Sequence, residues 1–160
     1  MKKVLLLSMI IVWCCSCSSS LYLTGEYNTQ HYSTETSRTV GEVWNNIVDW
    51  FFETQTPISL IDKDSGIITS GKISLRGSHT YEMEGKPDNV SKFIVLPSGA
   101  SFYSDARISG RVMARVKSDN GKTKISVFLG DIECTVGQSY IEAKSTGVFE
   151  QNWLKYISRK

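Results

Sequence analysis

Apolar and polar residues alternate most strictly between residues 106 and 136. Ile108, Gly110, Val112, Ala114 and Val116 take one parity, and Arg107, Ser109, Arg111, Met113 and Arg115 take the other, the period-two pattern of a half-buried strand. Asn120-Gly121 follows, a pair suited to the positive φ angles of a type I′ turn. A two-residue turn there sets Val116 against Ile125, Ala114 against Val127 and Val112 against Leu129. These are three apolar pairs on one face, which a one-residue slip would destroy. Beyond Gly130 the apolar parity moves to Ile132, Cys134 and Val136, so an inserted residue is expected as a bulge at or near Gly130-Asp131.

The period changes elsewhere. Val40, Val43, Trp44, Ile47 and Phe51 recur at helical spacing after Thr39, and Glu42 completes a capping box with Thr39. Pro57 closes this predicted helix, and Phe52 lies off its apolar stripe. Ile58 and Leu60, then Ile67, Thr69, Gly71, Ile73 and Leu75, predict a hairpin turning near Ser65-Gly66. Asp62 and Asp64 fit turn chemistry there, because the ligand ladder of a calcium loop is missing. Ser145 or Thr146 caps a second helix with Phe149, Trp153 and Tyr156 on its stripe and Val148 and Ile157 beside it. A first strand is expected within 26–33 and another at about 92–96, the rest of 76–105 reading as loop. One apolar face per strand and one stripe per helix imply an α+β two-layer sandwich, an antiparallel sheet with two helices packed on one face.

The first twenty residues change the picture. Lys2 and Lys3 precede a ten-residue, mostly apolar run, Val4 to Trp13, followed by Cys14, Cys15, Ser16, Cys17 and three serines. Ten residues fall short of the roughly 20 that span a bilayer, so the segment reads as a secretory signal. The cysteine cluster resembles the bacterial lipoprotein signal, in which cleavage falls before an acylated cysteine. Cys17 fits best because small Ser16 precedes it, although Cys14 stands where such signals carry leucine. Cys15 is second, with Val12 in that upstream slot, and bulky Trp13 argues against Cys14. An ordinary cleaved signal or an uncut anchor is the alternative. The expected division is a signal at 1–16, a tether at 17–25 and one domain at 26–160, lipid-anchored in the cell envelope at the outer membrane.

Removing residues 1–16 takes away two lysines and no acid, leaving 16 basic against 16 acidic residues. A neutral domain lacks the basic footprint of a nucleic-acid binder. Cys134 is then the only cysteine within the folded part, so no internal disulfide is expected; on an apolar strand position it reads as a buried small hydrophobe.

Thr39-Val-Gly-Glu-Val-Trp44 and Pro57-Ile-Ser-Leu-Ile-Asp-Lys-Asp-Ser-Gly-Ile-Ile68 resemble uncharacterised bacterial lipoproteins with a helix-grip, TATA-binding-protein-like fold. More distantly, the chain is similar to repeats of the lipoprotein C subunit of the β-barrel assembly machinery. The resemblance covers about residues 37–75, with weaker support from 106–158. It implies a fold and carries no functional residue over.

Catalytic chemistry is not visible. His79 with Glu82 and Glu84 supplies too few converging donors for a metal site, and His31 sits among polar residues. No Gly-x-Ser-x-Gly occurs, no cysteine has a neighbouring histidine, and no cofactor motif stands out. The outward face of the 106–136 hairpin is more informative. Arg107, Arg111 and Arg115 form a basic row, Met113 faces Phe128, and Lys117 faces Lys124. An ordinary solvated sheet face competes there with a docking face for an envelope protein, an anionic glycan or a headgroup. The expected function is a binding or scaffolding module held on the membrane by its lipid. The alternatives are an envelope hydrolase using dispersed carboxylates and a carrier of a small apolar ligand held between sheet and helix.

Overall fold

The computed structural model describes residues 21–27, 31–102, 105–137 and 139–159; Cys14, Cys15 and Cys17 lie outside them. In chain order the elements are β1 (Tyr32–Thr36), α1 (Val40–Glu53), β2 (Ile58–Asp62), β3 (Ile67–Ser70), β4 (Ile73–Ser74), β5 (His79–Met83), β6 (Lys86–Pro87) and β7 (Ile94–Leu96). A 3₁₀ turn (Ser98–Phe102) leads to β8 (Arg107–Asp119), β9 (Lys122–Val136), β10 (Ser139–Ile141), β11 (Lys144–Ser145) and α2 (Val148–Arg159). The main sheet is antiparallel in the order β1-β9-β8-β3-β2, with β10 added on β9 and β4 on β8. A second sheet, β11-β7-β5-β6, contains a parallel pair, β5 with β7. The protein is therefore α+β and mostly antiparallel.

The β8–β9 hairpin has the expected register: Val116 opposes Ile125, Ala114 opposes Val127 and Val112 opposes Leu129. Asn120 and Gly121 both take positive φ, 51° and 79°, as a type I′ turn requires. The register slips between Ser109 and Arg111 while β9 runs from Glu133 to Gly130, so β9 carries the extra residue, and Asp131 stands at φ 48°. This is the expected bulge. Past it Cys134 is fully buried, and burial pushes its thiol pKa up.

On α1 the capping box forms. The Glu42 amide donates to Thr39 Oγ1 (3.3 Å) and the Thr39 amide to Glu42 Oε2 (2.8 Å). Val43, Trp44, Ile47 and Phe51 are buried against Ile68, Val112, Ala114, Val116, Ile125, Val127 and Leu129 from one sheet face, with Trp153, Leu154 and Ile157 from α2 in the same core. Val40 was expected on the stripe but is exposed, because it opens the first turn at the rim of that core. Trp50 stands edge-on to Phe51, Phe149 and Trp153, joining the two helices.

Beyond Val40, four expectations are corrected. The first strand lies at Tyr32–Thr36, later than 26–33, because its pairing with β9 runs from Tyr32 opposite Val127 to Thr36 opposite Thr123. In the second hairpin the inward residues are Ile68 and Ser70, and Ile67 and Thr69 face out. Ile67-Ile68 is apolar on both parities, and pairing of Ile68 with Ala114 settles the choice. Ser70 is inward because its Oγ accepts the Val112 amide (2.8 Å) where β3 leaves β8 and β4 has yet to arrive. From Ile73 and Leu75 onward the inward residues are those expected. The strand expected at about 92–96 is Ile94–Leu96, and residues 76–105 hold more than it, since β5 and β6 form a short hairpin through Glu84-Gly85, both at positive φ.

The fourth correction concerns α2, whose buried side chains are Glu150, Trp153, Leu154 and Ile157. Tyr156 is 39% exposed and its hydroxyl donates to Glu53 Oε2. A buried carboxylate costs heavily unless donors meet it, and two do: the Leu129 amide reaches Glu150 Oε1 (3.1 Å) and Ser145 Oγ reaches Oε2 (2.9 Å). Ser145 Oγ in turn accepts the Gly147 amide at the helix start (3.0 Å). Replacing Glu150 with alanine strips both donors of their acceptor, at about 1–3 kcal/mol for each buried group left unpaired. Urea unfolding of Glu150→Ala is expected to show a lowered midpoint at unchanged slope; a midpoint equal to that of the parent chain would contradict this assignment.

Candidate functional site

One face of the main sheet carries the helices, and the other stays open. On the open face successive rows run across the strands. Ser126 of β9 lies beside Arg115 of β8 and Ile67 of β3, and Phe128 lies beside Met113 and Thr69. At the tip Lys124 opposes Lys117. His31, Ile67, Thr69, Met113, Arg115, Lys117, Lys124 and Ser126 line a groove of about 420 Å³. Its polar groups are cationic or neutral, with a methionine floor. That chemistry suits an anionic or mixed apolar–anionic partner.

The five residues singled out in the sequence separate into three settings. Arg115 lies in this groove, and Met113 lines it where it meets the bulge. Met113 and Phe128 are half-buried, because they fold over Gly130: a Cβ there would stand 2.3 Å from the Phe128 ring and 2.5 Å from the Met113 methyl. They roof the bulge rather than project from it, and His31 packs edge-on against Phe128 at 5.1 Å. Arg111 pairs with Asp131 at the bulge (3.7 Å). Arg107 lies one end further on, lining another concavity with Arg76, Asp105 and Thr135. The basic row is thus interrupted: Arg107 and Arg115 are exposed and Arg111 between them is half-buried, while at the tip Lys117 is exposed and Lys124 half-buried. His31 and Ile67 were missed because one precedes β1 and the other was assigned to the core parity.

His79, Glu82 and Glu84 are not brought together as a group of possible metal ligands. Glu84 sits in a tight turn, and Glu82 is buried with its oxygens occupied. Glu82 Oε2 accepts the Thr24 amide (2.9 Å) and hydroxyl (2.8 Å), and Oε1 accepts the Gly25 amide (2.7 Å) and the Tyr27 hydroxyl (2.8 Å). Among the described residues no three or more His, Cys, Asp or Glu side chains converge as metal ligands. His79 stands edge-on to Tyr81, and burial, with Lys92 nearby, pushes its pKa below the usual value.

Glu82 instead holds the amino-terminal segment. Residues 21–25, assigned from the sequence to the tether, lie on the domain. Leu21 bridges to Ile141 and its carbonyl accepts the Glu142 amide (3.3 Å), while the Leu23 amide donates to Glu142 Oε2 (3.0 Å). Gly25 passes so close to the β5–β6 turn that a Cβ would meet the Gly85 carbonyl oxygen at 2.1 Å. No short motif announces this latch, since its partners are more than fifty residues apart in the chain. Among the described residues no helix is long and apolar enough to cross a membrane.

Burial pushes the Glu82 pKa up, but the hydrogen bonds from Thr24, Gly25 and Tyr27 outweigh it and hold the carboxyl below its ordinary value. Its contribution is therefore fully present above the unfolded carboxyl pKa of about 4.3 and fades as pH falls through the folded value. Glu82→Gln is expected to raise hydrogen exchange at residues 24–27 at pH 7 and to flatten the loss of protection below about pH 4.3. Unchanged exchange across that range would contradict the latch.

Neither a scan against protein-family models nor a search of curated proteins matches this chain.

Proposed function

We propose that the chain is a membrane-anchored extracytoplasmic lipoprotein whose single domain is a binding or scaffolding module of the cell envelope, built on a helix-grip, TATA-binding-protein-like plan. Cys17 carries the lipid, and the anchor lies in the outer membrane. The observation behind the binding role is the open sheet face with its groove of Met113, Arg115, Lys117 and Lys124. Acylation supports permanent residence, since each buried CH₂ contributes about 0.8 kcal/mol and two or three chains act together. The partner is an envelope protein with an acidic surface, or an anionic glycan, approaching this face.

The hydrolase alternative draws no support from the buried carboxylates. Glu82 and Glu150 direct their oxygens at amides and hydroxyls of the chain itself. The interlayer space invoked for an apolar ligand is filled by Ile47, Phe51, Ile68, Val112 and Ile125 in one core.

Two measurements test the reading. Cys17→Ser is expected to move the chain from the membrane pellet to the soluble fraction; continued sedimentation with membranes would contradict the anchor. Arg115→Glu combined with Lys124→Glu is expected to weaken retention on an acidic envelope glycan or polypeptide by about tenfold or more. Retention equal to the parent chain would remove the groove from the account.

A further inference from the structure

We infer that the surface around the docked amino-terminal segment, centred on Tyr22 and Tyr140 and flanked by Arg76 and Arg107, rests on the lipid headgroups and orients the body with its hairpin tip away from the bilayer. This rests on the reading of Cys17 as the acylated residue. From Cys17 to Leu21 there are four residue steps, about 14 Å when fully extended. Leu21 itself is not free to extend that reach. Its backbone is tied to Ile141 and Glu142, its side chain lies against Gly99, and Glu142 and Glu82 fasten the residues that follow. The headgroup layer alone occupies about 5–8 Å of the available distance. A body pinned so near its anchor cannot stand clear of the lipid surface.

The face presented there has fitting chemistry. Leu21 and Ile141 turn their side chains inward across their bridge. The alternation of extended backbone then turns Tyr22 and Tyr140 outward, where they are 69% and 58% exposed. Tyrosine rings, apolar in body and polar at the tip, favour the headgroup level. Tyr140 opposes Thr135, and Thr135 opposes Arg107, placing an arginine on the same row. Arg107 shares its concavity with Arg76 and Asp105. The nearby Glu142 carboxylate is already engaged, by the Leu23 amide and Lys144.

Orientation follows from strand length. At about 3.3 Å per residue, Arg115 lies about 26 Å along β8 from Arg107 and the Asn120-Gly121 turn about 45 Å away. The groove of Arg115, Lys117 and Lys124 is thereby lifted off the lipid toward a partner. The anchor end and the docking end are opposite ends of one hairpin.

The test uses the full acylated chain in vesicles carrying a headgroup-attached quencher, with a fluorophore placed at Tyr140→Cys or, near the tip, at Ser118→Cys. Vesicle flotation reports the anchor. Quenching several-fold stronger at 140 than at 118 is the expected result. Inserting about twenty Gly-Ser residues between Ser20 and Leu21 should lower the signal at 140 toward that at 118. A chain that floats but quenches equally at both positions overturns the orientation and leaves the anchor standing. Full quenching at 140 despite the long insert overturns the short tether as its cause. A chain that does not float removes the anchor and, with it, this inference.

Discussion

The register of the β8–β9 hairpin is the constraint on which the rest of the molecule depends. It places Val112, Ala114 and Val116 against Leu129, Val127 and Ile125 on one face, and that face is the floor of the core. Both helices and β3 are positioned by it. Ile68 finds its inward direction from Ala114, Ser70 Oγ takes the Val112 amide, and the Leu129 amide fixes Glu150 at the start of α2. A slip of one residue would reverse every side chain of the hairpin and break all three attachments. Two local features prevent it. Asn120-Gly121 sets the turn, and the bulge at Gly130-Asp131 restores inward parity for Cys134 after an inserted residue.

The features readable from the sequence were those whose partners lie close along it. Thr39 and Glu42 are three residues apart, and the hairpin pairs are counted outward from one turn. The unreadable ones depend on distant groups. Ile67-Ile68 offers an apolar residue to either face, and only the neighbouring strand decides between them. Glu150 looks like an exposed first-turn acid until β9 and Ser145 supply its donors. The Glu82 latch and the parallel β5–β7 pair join segments whose relation no local period expresses. For the candidate site, pattern alone placed Arg107, Arg111, Met113, Arg115 and Phe128 on one face. It could not separate Arg115, open in a groove, from Arg111 beside Asp131 or from Met113 and Phe128 folded over a glycine.

The two buried carboxylates illustrate how charge serves architecture in this protein. Each lies where backbone amides would otherwise go unsatisfied, and each ties a distant segment to the sheets. Removing one would leave several donors without an acceptor, a larger penalty than the modest net gain of an average hydrogen bond. Glu150 secures the last helix. Glu82 secures the residues that lead back toward the cysteine cluster, converting what would be a loose stalk into part of the domain. In the proposed account that conversion matters more than any single surface charge, because it joins membrane attachment to the orientation of the open sheet face.

The central claim is that the mature chain begins at an acylated Cys17, four residues before the docked Leu21. Intact-mass and amino-terminal peptide analysis of the protein purified from membranes tests it most directly. The account predicts a first residue of Cys17 bearing two or three fatty acyl chains. A mature chain beginning at any residue other than a cysteine, with no acyl mass, would contradict it.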